Sequence, residues 1–116
     1  MISLHDSKTT IRILGGLLSA YHLTNDTLYT TRAVDLADRL MVAFDPKVTE
    51  SGLPVTMVNL GKRLPVPDKG NMGYVSLAEV TTLQLEFRYL THITGNHSYW
   101  DAVENVCQKL VLTLVD

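Results

Sequence analysis

The stretch HLTNDTLY, His22 to Tyr29, returns seventy residues later as HITGNHSY, His92 to Tyr99, which lays Thr24 over Thr94, Tyr29 over Tyr99 and, further on, Leu40 over Leu110. Each copy sits between the same two kinds of segment. Before it runs a stretch that is apolar around most of its circumference (residues 9–24 and 76–94), and after it one that is apolar along a single stripe (27–44 and 98–115). A unit of inner helix, short turn and outer helix, written twice, predicts an all-α chain of two stacked helical hairpins. Since about three or more such units are usually needed to bury a continuous core, the pair is expected to be part of a larger ring or solenoid.

The stripes follow helical spacing. Ala33, Leu36, Ala37, Leu40, Met41 and Phe44 recur at three- and four-residue steps, with Arg32, Asp35, Asp38 and Arg39 around the other side; Val103, Val106, Cys107, Leu110, Val111 and Leu114 do the same opposite Asp101, Glu104 and Lys109. Both are expected to be outer helices with one face in water. Between Ile11 and Leu23 the only charge is Arg12, so the first helix is expected to be inner, covered on several sides. Asn25 or Asp26 can cap the second helix, Asp45 and Pro46 can end it, and Gly95 suits a left-handed residue after the third. Ser76 with Glu79 reads as a capping box, and Ser98 with Asp101 as a similar start. Residues 1–8 form an atypical start, 9–44 the first hairpin, 45–75 a long loop and 76–115 the second hairpin. The loop region holds all four prolines and four of the seven glycines, and within it LPVTMVNL could form a short strand.

Composition excludes several classes of partner. A net charge of −2 without a basic run leaves no footprint for nucleic acid or an anionic membrane surface. No stretch reaches the roughly 20 apolar residues of a membrane span, and the first residues lack the basic-then-apolar order of a secretion signal. The single cysteine, Cys107, rules out an internal disulfide and cysteine-cluster metal sites.

A few residues stand out against this background. Gly15 and Gly16 sit inside a helix at a cost of about 1 kcal/mol each; they mark either a close helix crossing or the approach of a ligand. The fork of donors on Arg12 suits a carboxylate or vicinal hydroxyls. Glu79 completes a cap, and at the mouth of an inner helix could also hold a sugar hydroxyl. The histidines at 5, 22, 92 and 97 lack the spacing of a helical zinc site and read as helix-end residues, while Tyr99 and Trp100 read as packing residues. Asn25 in NDT and Asn96 in NHS are glycosylation acceptors, both in the turn between inner and outer helix.

Four motifs, TTIRILGGLLSAYHLTNDTLY, RAVDLADRLMVAF, SGLPVTMVNL and SLAEVTTLQLEFRYLTHITGN, resemble in sequence and order the class I α-mannosidases of glycoside hydrolase family 47, over about residues 9 to 110. The resemblance implies part of an (αα)7 barrel. It implies an inverting, calcium-dependent hydrolase that trims α-1,2-linked mannose from N-glycans in the endoplasmic reticulum, the Golgi or outside the cell. Inversion uses one carboxylic acid on the leaving oxygen and one carboxylate on the attacking water.

Carried over by position, the family's T-I-R arginine is Arg12 and its A-E-x-T-T glutamate is Glu79, both implied to bind oligomannose. The family's general acid is a glutamate four residues before that arginine, in the pattern FETTIR. Here Ser7 and Lys8 occupy those places, and a lysine cannot be the neutral carboxylic acid. No catalytic residue and no calcium ligand is therefore assigned to this chain; the other carboxylates and the calcium-binding threonine are expected beyond Asp116, in the missing remainder of the barrel. The leading expectation is a catalytically incomplete fragment of an α-1,2-mannosidase. The alternatives are a non-catalytic relative that binds mannose-rich glycans through Arg12 and Glu79, and a helical-hairpin scaffold unrelated to sugar.

Overall fold

A computed structural model describes residues 3–45, 55, 57–66 and 81–115 of the 116. In chain order they form β1 (Ser3–His5), α1 (Asp6–Thr9), a π-helical turn (Thr10–Leu14), α2 (Gly15–Thr24), α3 (Thr27–Leu40), a 3-10 turn (Met41–Phe44), β2 (Met57–Asn59), β3 (Leu64–Val66), α4 (Gln84–Thr94) and α5 (Ser98–Val115). The two hairpins are α2–α3 and α4–α5, and the expected all-α architecture holds.

The sequence repeat recurs bond for bond. Thr24 Oγ1 donates to the Ala20 carbonyl at 2.7 Å and accepts from the Asp26 amide at 3.2 Å; Thr94 Oγ1 donates to Leu90 at 2.7 Å and accepts from Asn96 at 3.2 Å. Asn25 and Gly95 both end their helices with positive φ, 56° and 76°, and each amide closes back on a carbonyl four residues earlier, Tyr21 and Thr91. Asp26 Oδ1 then accepts from the Leu28 amide at 2.9 Å, and Asn96 Oδ1 from the Ser98 amide at 3.1 Å. Each turn thus satisfies the orphan carbonyls of one helix and an orphan amide of the next within three residues. The start of α5 corrects the sequence reading: Asn96 caps it, not Ser98, because the repeat aligns Asn96 with Asp26. The capping box at Ser76 and Glu79 lies outside the described residues.

The core gathers one face of each helix. Leu14 and Leu18, Ala33, Ala37 and Leu40, Leu83, Phe87 and Leu90, and Tyr99 and Val103 form one buried cluster. At its centre the Phe87 ring meets Phe44 edge-on at 5.8 Å and Tyr99 tilted at 6.0 Å, separations favourable for aromatic quadrupoles. Ala33 and Ala37 carry no bulk beyond Cβ, so α3 comes close to its neighbours. On α5 the predicted stripe is buried at Val103 and Val106 but Val111 is exposed. Arg88 fastens α4 to α5, paired with Glu104 at 2.6 Å and stacked 4.2 Å over the Trp100 ring, and Gln84 Nε2 donates to the Val103 carbonyl at 2.7 Å. Tyr99 and Trp100 are accordingly packing residues.

A three-stranded antiparallel sheet, ordered β1-β2-β3, adds to this helical frame. Its register pairs Ser3 with Asn59 and His5 with Met57 on one side, and Met57 with Val66 and Asn59 with Leu64 on the other. β2 falls inside the stretch expected to hold a strand, and Pro65, which lacks a ladder donor, is confined to the edge strand β3. Val58 is fully buried and Arg39 Nη1 donates to the Leu60 carbonyl at 3.0 Å, which ties the hairpin to α3.

Candidate functional site

The chemistry-bearing residues lie along the inner helices. Thr9, Thr10, Ile11 and Ile13 are β-branched, which makes this the part of the run with the weakest intrinsic helix preference. Here the helix widens: the Gly15 amide bonds the Thr10 carbonyl, five residues back rather than four. π-Turns of this kind are frequent at functional sites because the extra residue re-aims side chains. Arg12 lies in this turn, exposed, and makes no hydrogen bond or ion pair among the described residues. Lys8, in α1, is also exposed. Glu79 lies outside the described residues.

α2 and α4 face one another across an open groove of about 510 Å³, lined by Gly15, Leu18, Ser19, His22, Leu23, Leu85, Glu86 and Tyr89. His22 Nδ1 lies 3.2 Å from the Tyr89 hydroxyl, with the rings edge-on at 6.4 Å. The inner helices are covered less than their sequence led one to expect. Leu14 and Leu18 are buried, but Leu23 is 82% and Leu85 77% exposed, and Ile11 and Ile13 are about half exposed.

Glu86 is the residue that sequence reasoning passed over. Its Oε2 is buried without a hydrogen-bond partner, and desolvation raises the carboxyl above its ordinary pKa, an effect only partly opposed by a backbone hydrogen bond. The signal was present: like Arg12, Glu86 is a charge inside a largely apolar helix. Across the groove, Glu86 approaches the first residue of the glycine pair. A Cβ on Gly15 would stand 3.5 Å from Glu86 Oε1 and 3.8 Å from its Cγ, so Gly15 lies in van der Waals reach of that carboxylate. A Cβ on Gly16 would meet nothing within 4 Å, so the close-crossing reading does not apply to Gly16 among the described residues.

The remaining candidates are placed simply. His22 and His92 stand in the last turns of α2 and α4, and no group of three or more His, Cys, Asp or Glu able to hold a metal ion occurs among the described residues. No helix among them is long and apolar enough to cross a membrane. Asn25 and Asn96 occupy the two equivalent turns but not equivalent positions: Asn25 is the left-handed residue, Asn96 the cap.

The family model described as glycosyl hydrolase family 47 matches residues 3–113. The endoplasmic reticulum mannosyl-oligosaccharide 1,2-alpha-mannosidase of Saccharomyces cerevisiae is 48% identical over 109 residues, covering 89% of this chain and 20% of that protein. The protein of the same name from Schizosaccharomyces pombe is 49% identical over 104 residues, covering 90% of this chain and 19% of the relative. The Homo sapiens protein of that name is 46% identical over 103 residues, covering 89% and 14%. The chain therefore spans about a fifth or less of the length of these relatives.

Proposed function

We propose, from the premise that this chain belongs to glycosyl hydrolase family 47, that it supplies one wall of an α-1,2-mannosidase that trims oligomannose N-glycans by inverting hydrolysis in the secretory pathway. The observation that carries this reading is the similarity of nearly the whole chain to proteins named as mannosyl-oligosaccharide 1,2-alpha-mannosidases. Their names also support the endoplasmic reticulum as compartment.

In this reading Arg12 contributes substrate binding. It is exposed, makes no hydrogen bond or ion pair among the described residues and is carried on a π-turn, so its fork of donors can meet sugar hydroxyls. Glu79 is assigned a second sugar contact through the family's A-E-x-T-T motif. The proton for the leaving oxygen would come from elsewhere, since Lys8 at the acid's position carries an amine and not the carboxylic acid required. Calcium, which the family resemblance implies for the whole enzyme, would be held by oxygen ligands, and no group of three or more His, Cys, Asp or Glu that could hold it occurs among the described residues. The open apolar faces of α2 and α4 fit packing against further inner helices of a barrel.

Two measurements test the proposal. The chain by itself, given oligomannose and calcium, is expected to release no mannose; robust turnover would show that the acid has been misassigned. Grafted into the yeast relative in place of the matching segment, with that enzyme's own acid retained, residues 9–112 are expected to support mannose release that Arg12→Ala sharply reduces. A graft indifferent to Arg12→Ala would remove Arg12 from the binding site.

A further inference from the structure

We propose that Gly16 is a substrate-binding position, where the missing side chain leaves bare backbone for a mannose ring of the oligomannose to lie against, one turn from Arg12; the inference rests on the reading above, in which Arg12 binds that glycan. Of the two reasons for a glycine inside this helix, a close crossing or the approach of a ligand, Gly16 has the second.

The inner helix runs from α1 through the π-turn into α2 without a break. Along it Lys8, Arg12, Gly16 and Ser19 follow at steps of four, four and three, which puts them on one face, and all four are exposed. Four residues overshoot an α-helical turn of 3.6, and the wider π-turn over Thr10–Leu14 takes up part of that excess, so Gly16 comes closer to lying directly beneath Arg12. A helical side chain leans toward the N-terminus and covers the turn before its own Cα. Any side chain at position 16 would therefore cover the base of the Arg12 turn, and glycine leaves that ground open.

Nothing in the fold asks for glycine here. Glycine is the poorest helix former after proline, yet a Cβ on Gly16 would meet no atom within 4 Å, whereas one on Gly15 would meet the Thr10 carbonyl oxygen and Glu86 Oε1, each at 3.5 Å. Left-handed backbone is not the reason either, since among the described glycines the positive φ belongs to Gly95. A local rule broken with no structural return marks a functional position. A further helix of the enzyme is a poor occupant of this face, because it would take the Arg12 guanidinium and the Ser19 hydroxyl out of water. The open apolar residues Ile11 and Ile13 flank Arg12 at about 100° to either side, and those are the flanks that suit protein neighbours. A pyranose suits the polar face between them. Its hydroxyl oxygens can accept from the Arg12 fork and exchange hydrogen bonds with Ser19, roughly 10 Å further along the axis, while its C–H face rests on the glycine backbone.

The test places Gly16→Ala and Gly16→Leu in the graft into the yeast relative, with oligomannose as substrate, and reads KM, kcat and the Tm of each protein beside the unsubstituted graft. KM is expected to rise about fivefold for alanine and about tenfold or more for leucine, graded by bulk, with kcat nearly unchanged and Tm not lowered. A merely structural glycine would not give that split. A graft that releases mannose and responds to Arg12→Ala but keeps its KM in both Gly16 variants would overturn the proposal alone. So would a Tm that falls in step with the bulk added, because protein and not sugar would then lie against Gly16. A graft that releases no mannose at all would overturn the reading beneath it, and the proposal with it.

Discussion

Gly16→Ala tests the account of the glycine pair most directly. Gly16 is within α2, and a methyl group built there meets no atom within 4 Å. Nothing offsets the intrinsic preference of alanine for the helix, about 0.8–1.0 kcal/mol over glycine. The gain comes chiefly from an unfolded chain with fewer conformations to lose. For a chain of this size, about 1 kcal/mol raises Tm by roughly 3–6 °C. Gly15→Ala is the internal control. It has the same propensity gain and the same helical backbone, φ −58° and ψ −41°, but its methyl stands beside Glu86 and displaces water from a carboxylate that already has a buried, unpartnered oxygen. Gly15→Ala is therefore expected to stabilise less than Gly16→Ala, or not at all. Thermal unfolding followed by far-UV circular dichroism reads both. A destabilised Gly16→Ala variant would refute the reasoning, because it would mean that α2 is contacted where the structure leaves it open.

Tyr99→Phe keeps the buried ring and deletes the hydroxyl that donates to Asp38; denaturant unfolding is expected to show a loss of about 1–2 kcal/mol, against about 3–5 kcal/mol for Tyr99→Ala. Burial and the Asp38 carboxylate raise the Tyr99 pKa, so folding keeps a proton that the unfolded chain releases. Wild-type stability should then fall as pH rises above the ordinary tyrosine value of about 10, a slope that Tyr99→Phe should lack. For Glu86 the raised pKa has the same sign at lower pH: its contribution is complete below the unfolded value of about 4.3 and is lost as pH rises through the folded value. Glu86→Gln should thus stabilise near neutral pH and not in acid, and equal effects at both would refute the desolvation argument. Asp26→Ala should cost about 1 kcal/mol as the loss of a cap, and equilibrium unfolding that shows no loss would argue against the cap.

What could be read from the chain alone was whatever is held by neighbours in sequence. The two turns were legible because Thr24, Asn25 and Asp26, like Thr94, Gly95 and Asn96, close their hydrogen bonds within a few residues. The stripe through Ala33, Ala37 and Leu40 was legible because helical spacing decides which residues share a face. Even the misassigned cap of α5 was recoverable from the repeat. The family resemblance likewise came from contiguous motifs.

Contacts between distant residues were decided by the tertiary structure. No local pattern pairs β1 with β2 across more than fifty residues, sets Tyr99 on Asp38 at a separation of 61, or places Glu86 against Gly15. Glycine is locally unfavourable in a helix and glutamate is not, and only packing α2 against α4 shows that a side chain at position 15 would stand beside Glu86.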